Sequence, residues 1–227
     1  MRRLALAALL SVAVAGCGAS STTTGPAGRA TVWVTRDRGA EVLHVAKVPA
    51  GLSAMQGLLR VAKVKTRYGG RYVDEVEGLE EEGDHSWFYY VNGYLADRGA
   101  TEYRLRPGDV EWWDYRSWRN PLDDPVVAGA FPEPLLHGYD GERRRTFVVG
   151  RGAPAVATRL RARIVAPGKP VPASANVLVL RQGPTSLTVR LRTEGSPPGS
   201  PVWMEYTGDP GLLLRERPFR FHYEVRP

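Results

Sequence analysis

Side chains able to carry out chemistry are few and scattered in this sequence. Its 227 residues include four histidines (His44, His85, His137 and His222) and a single cysteine, Cys17. No two histidines are spaced to share a metal. One thiol excludes both a disulfide framework and a cysteine-held zinc or iron–sulfur centre. Signatures of catalysis are also missing: there is no Gly-x-Ser-x-Gly elbow, His-Glu-x-x-His pair, phosphate loop or dinucleotide-binding glycine pattern. The acidic run from Glu80 to Asp84 lacks the alternating spacing of a calcium loop and reads as a solvated turn. The informative chemistry is aromatic. Trp87-Phe88-Tyr89-Tyr90-Val91 puts rings on both faces of a strand, and Trp112-Trp113 does the same. An open face of this kind would offer stacking to a ligand. The alternative is that a helix covers one face and a second domain the other.

Cys17 has a different use. Arg2 and Arg3 precede an apolar run from Leu4 to Val14, and Val14-Ala15-Gly16 places small residues before the cysteine. That is the layout of a secretory signal, too short in its apolar core for an ordinary membrane span. Val14-Ala15-Gly16-Cys17 also fits the bacterial lipobox, in which a peptidase cuts before the cysteine and the thiol is lipidated. Residues 1–16 are therefore expected to be a lipoprotein signal peptide, with Cys17 the lipidation site on the extracytoplasmic face of a cell membrane. Cleavage would remove two of the seven net positive charges. A location outside the cytoplasm argues against nucleic acid as a partner, despite the remaining basic balance.

The elements that must position the aromatic residues follow in order. Residues 17–29 are small and polar and read as a flexible tether, with a span of about 20 Å. Thr31–Thr35 and Val42–Val48 predict a strand pair, interrupted at Pro49. Ser53 and Gln56 have capping-box spacing, and Met55, Leu58, Leu59 and Ala62 form one helix stripe. Strands are then expected at Arg71–Val76, Trp87–Val91, Tyr94–Ala96, Tyr103–Arg106 and Val110–Tyr115, with Asn92-Gly93 as a hairpin turn. Of eighteen prolines, fifteen lie from Pro121 onward, whereas thirteen of twenty-one aromatic residues lie between Trp33 and Trp118. This shift predicts a boundary near Asn120-Pro121. Beyond it, residues 121–227 read as a second small α+β domain. Its expected elements are a helix over Pro154–Ile164 and strands at 146–149, 177–180, 187–191, 202–206 and 219–225.

A set of short motifs follows in fixed order through the first unit. It runs Tyr68-Gly69-Gly70, Val76-Glu77-Gly78, Ser86 through Gly93, and Ala96-Asp97-Arg98-Gly99-Ala100. Tyr103-Arg104-Leu105, Pro107-Gly108-Asp109 and Trp113-Asp114-Tyr115 complete it. Over residues 30–118 this set resembles the transcobalamin-like C-terminal domain family, found in bacterial surface proteins. The resemblance implies a β-grasp-like fold. In the vertebrate vitamin B12 carriers this domain closes over one face of the corrinoid, so the resemblance also implies a corrinoid such as cobalamin as ligand. On that implication Trp87 and Tyr89, with Tyr90 and His85, are the ligand-facing residues. The whole chain is thus expected to be α+β and non-catalytic. It would be a lipid-anchored binding protein, working with an uptake transporter or surface partner. The alternative is an adhesion or scaffold module that contacts protein or polysaccharide.

Overall fold

Thr31 to Thr35, β-branched and aromatic, forms the middle of the first strand, β1 (Arg29–Arg36). The computed structural model describes residues 28–119 and 124–227. Cys17, the signal and residues 17–27 of the tether lie outside these, as does the expected boundary at Asn120-Pro121. A turn over Asp37–Ala40 returns the chain as β2 (Glu41–Pro49), antiparallel to β1. The capping box then opens α1 (Ala54–Leu59). Gln56 N–H donates to Ser53 Oγ at 3.1 Å, and Ser53 N–H donates to Gln56 Oε1 at 2.9 Å. β3 (Val64–Arg67), β4 (Tyr72–Val76) and β5 (Leu79–Glu80) make a small antiparallel sheet. β6 (His85–Val91) and β7 (Tyr94–Leu95) form the Asn92-Gly93 hairpin, and both turn residues have positive φ. β8 (Val110–Ser117) lies between β1 and β6, parallel to the first and antiparallel to the second. The main sheet therefore runs β2-β1-β8-β6-β7.

The second half repeats neither this order nor its hairpins. β9 (Thr146–Gly150) leads through α2 (Ala153–Arg159) to β10 (Arg163–Ile164). β11 (Asn176–Arg181), β12 (Ser186–Leu191) and β13 (Val202–Thr207) complete a sheet of order β10-β9-β11-β13-β12. Four of its strands are parallel and only the edge strand β12 is antiparallel. The chain is a sheet-rich α+β fold.

Four expected elements differ. The stripe through Ala62 stops early, because α1 ends at Leu59, itself exposed, while Met55 and Leu58 are buried. The helix expected to reach Ile164 ends at Arg159. Arg161 takes a left-handed φ of 48°, and residues 163–164 pair with β9 instead. Tyr103–Arg106 is not a strand; its pairing is a single bridge between Arg104 and Ser53. Phe219–Val225 is not one either. Positive φ at Arg217 and Phe221 bends this segment across the first sheet, leaving only a bridge from Val225 to Leu187. Such bends leave no apolar periodicity to read.

The two halves share one core. Leu58, Val91 and Tyr94 belong to the same apolar cluster as Leu135, Tyr139, Val148 and Leu178. Residues 124–140 return along the first half: Leu95 N–H donates to Pro125 O, Val127 N–H to Gly93 O, and Asn92 Nδ2 to Gly138 O.

Gly57 weakens α1 by about 1 kcal/mol relative to alanine on helix propensity alone. The fold explains its presence. A Cβ there would sit 2.4 Å from Glu111 Oε2 and 2.9 Å from Leu105 Cδ1, both fully enclosed. Gly57→Ala is therefore expected to destabilise the protein by about 1–3 kcal/mol, the cost of overpacking a core, and not to stabilise it. A urea midpoint above that of the wild type would refute this.

Candidate functional site

The alternation of β6 sends Trp87, Tyr89 and Val91 to one side of the sheet and Phe88 and Tyr90 to the other. On the first side, Trp87 is 8% exposed and its indole N–H donates to Leu79 O at 3.0 Å, beneath the small sheet. Tyr89 stacks on Trp113 with ring centroids 4.8 Å apart, and its hydroxyl donates to Arg98 O. Burial pushes the Tyr89 phenol well up. On the second side, Tyr90 is 0% exposed and its phenol is pushed up to about 12, again by burial. The edge of Tyr223 meets it at 5.4 Å. Of the two readings of these faces, an open face and a covered one, the covered one describes Trp87 and Tyr90, although the small sheet rather than a helix lies over Trp87. Trp87 and Tyr90 are core residues, covered by the small sheet on one side and by the C-terminal segment on the other.

His85 sits differently. Its side chain is 38% exposed, Nδ1 lies 3.0 Å from Asp84 Oδ1, and the ring stacks on Tyr115 at 5.5 Å. Tyr115 in turn packs on Trp87 at 5.2 Å. The three rings form a ladder that runs from the core to the surface, where β6 begins and β8 ends. Asp84 is held below the usual carboxylate range, first by the Ser117 hydroxyl that donates to it at 2.8 Å and also by Arg119. The structure thus brings His85 and Trp87 together through Tyr115, and it separates Tyr90 from them on the opposite side.

β8 carries what the motif reading missed. Its sequence alternates Glu111, Trp113 and Tyr115 with Trp112, Asp114 and Arg116, so charges fall on both faces of a buried strand. That double placement is visible in the sequence. Glu111 is 0% exposed; Trp113 Nε1 donates to its Oε1 at 2.6 Å, and its Oε2 has no partner. Burial raises its carboxyl well above the ordinary range. Asp114 is buried too, but it accepts from Thr35 Oγ1 at 2.5 Å, Arg38 N, Gly39 N and Tyr223 Oη. Burial still pushes it up, against these bonds. The Arg116 guanidinium lies 3.8 Å over the Phe88 ring and donates to Tyr90 Oη at 3.2 Å. These groups are walled in among the described residues, and the partners they meet are parts of the fold.

Asp97 and Arg98, from the Ala96–Ala100 motif, clasp the two halves together. Arg98 Nη1 and Arg106 Nη2 both reach Asp140, at 3.1 and 2.9 Å, while Tyr139 Oη donates to Asp97 Oδ1 at 2.8 Å. Among the described residues, no three His, Cys, Asp or Glu are grouped to hold a metal ion, and no helix is long and apolar enough to cross a membrane.

Similarity to known proteins covers part of the chain. Residues 51–117 match a family described as "Domain of unknown function (DUF4430)". The match spans α1 through β8, the stretch that carries every ring of the ladder. Among solved structures, the chain is similar to one described as "a putative metal binding protein from Ruminococcus gnavus ATCC 29149". The two are 14% identical, with a TM-score of 0.32, covering 40% of this chain and 97% of the other. No curated protein matches the chain.

Proposed function

We propose that this is a non-catalytic binding protein held on the extracytoplasmic face of a cell membrane by lipid on Cys17. Residues 17–29 are its tether, and an uptake transporter receives its ligand. The first half is read as a β-grasp-like, transcobalamin-like domain. Supporting this is the order β2-β1-β8-β6-β7, with the first and last strands parallel at the centre and α1 following the first hairpin. The ligand is a corrinoid-like or other large planar molecule. One observation carries that choice: the His85–Tyr115–Trp87 ladder ends at an exposed ring on which a further flat surface can stack. Tyr89 contributes from behind, by fixing Trp113.

Isothermal titration of the full chain, extracted from membranes in detergent, with cobalamin and cobinamide tests the reading. Saturable heat is expected, and His85→Ala is expected to weaken binding by about tenfold, one lost stacking contact. Absence of heat with both ligands at high micromolar concentration would sink the corrinoid reading.

The burial of Trp87 and Tyr90 favours a second reading, a cell-surface adhesion or scaffold module. Its contact surface is the small sheet, where Tyr68, 78% exposed, packs edge-on against Tyr72 at 6.2 Å. Binding to envelope polysaccharide or protein that is lost in Tyr68→Ala, without corrinoid heat, would select it.

A further inference from the structure

The second sheet holds a feature independent of the aromatic domain. β9, β11 and β13 are parallel, so all three end on the same edge of the sheet. β9 and β11 are neighbours, yet the chain leaves them in opposite directions. From β9 it passes through α2 to β10 on one flank, and from β11 it goes to β12 on the other. Diverging connections open a crevice outside the carboxyl ends of the strands. A cleft of about 550 Å³ lies there, walled by the three strand exits. That volume suits a small solute.

The strand exits are tightly packed around glycines. Gly152, Gly183 and Gly208 all have positive φ, at 84°, 144° and 134°. A Cβ on them would lie 2.6 Å from Pro210, 2.8 Å from Thr207 and 2.7 Å from the Tyr206 hydroxyl, respectively. Glycine at these exits is thus required by their close packing, and it lines the cleft with backbone at three places. Charge supplies the selectivity. Arg151 is exposed, and no hydrogen bond or ion pair within the described residues engages it. Arg181 has only a 3.4 Å contact from Nε to Glu205. The one acid lining the cleft, Asp209, accepts from Gly211 N–H through Oδ1 at 2.9 Å, and its single negative charge is outweighed by the two arginines. No serine, cysteine or histidine lines the cleft, so it is equipped to bind and not to react.

We propose that this cleft is an oxyanion site. It takes a small solute whose phosphate or carboxylate is clamped between Arg151 and Arg181, with Gln182 positioned to hydrogen-bond a hydroxyl of the same molecule. The site lies in the half without a family match, so it stands or falls separately from the corrinoid reading.

Calorimetry of the full chain at low ionic strength tests it, with glycerol 1-phosphate, inorganic phosphate, citrate and neutral glycerol as probes. The expected result is saturable binding of at least one anionic probe and none of glycerol. Preference for phosphate or for citrate assigns the group. Arg151→Ser and Arg181→Ser are each expected to weaken binding at least about tenfold, the scale of a lost charge-assisted hydrogen bond. Both arginines are exposed, so thermal midpoints should be unchanged. Non-saturating heats for all anions, equal binding of glycerol, or variants that bind like the wild type would overturn the proposal.

Discussion

Stability is expected to fall as the pH rises above about 5, and Glu111→Gln is expected to flatten that slope. In the unfolded chain the Glu111 carboxyl titrates near its ordinary value of 4.5. In the fold, burial raises it well above that, because the charged form would be enclosed with Oε2 unpartnered. Between those two values the folded state binds a proton that the unfolded state has released. The contribution of this group is full below the unfolded value and declines as the pH rises, by about 1.4 kcal/mol per pH unit. Asp109, raised from 3.8 to about 6 by burial, acts in the same direction over the lower part of the range. His137, raised by its contact with Glu133, adds a contribution that disappears as the pH passes its folded value. The lowered carboxylates Glu77, Asp84, Asp97 and Asp140 oppose this trend only near pH 5, since above it they are ionised in both states. Glutamine retains an acceptor for the Trp113 indole N–H and cannot ionise. Urea denaturation at several pH values decides the matter; equal slopes for the two proteins would exclude Glu111 as the source.

Tyr223→Ala is expected to cost about 3–5 kcal/mol, the range for removing a large buried ring. The ring meets Trp112 edge-on at 5.2 Å and Tyr90 at 5.4 Å, and the hydroxyl donates to Asp114 Oδ2 at 2.9 Å. Both losses fall on one spot. Alanine leaves a cavity against two rings and takes a donor from a buried carboxylate. Tyr223→Phe separates the two contributions, since it keeps the packing and gives up about 1–3 kcal/mol for the bond. Chemical denaturation followed by tryptophan emission reads both. Trp33 and Trp112 share this pocket, so a red shift in the folded alanine variant should accompany the loss. A midpoint equal to that of the wild type would show that the C-terminal segment does not support the sheet.

How much of this could be read from the sequence varies with range. Local signals held where the backbone alone decides. The Ser53–Gln56 capping box forms, Asn92-Gly93 turns the hairpin, and the β-branched run at Thr31 is a strand. Periodicity gave the faces of β6 and β8 but not what lies against them, because the covering residues come from far along the chain. Tyr223 meets Asp114 across 109 positions. The C-terminal segment that supplies this cover has left-handed residues at Arg217 and Phe221, and a bent segment carries no repeat to detect. The same limit applied to the site. His85 and Trp87 are two apart in sequence, but Tyr115, which joins them, enters only through the register of β8. The oxyanion cleft was illegible for the same reason, since its arginines sit on strand exits that only the parallel sheet brings together.

The reach of that C-terminal segment also bears on how the chain is made. β1 waits for β8 before it has a parallel neighbour, and Phe221 and Tyr223, which cover the far side of that pair, come about a hundred residues later. A chain emerging from its N-terminus therefore cannot complete the first half and then begin the second. Its slowest contacts are its longest, which favours late, concerted closure over stepwise assembly. A copy clipped before Phe219 would carry Trp33, Tyr90 and Trp112 uncovered. Such a copy presents those rings to water as an apolar patch, which favours aggregation or proteolysis.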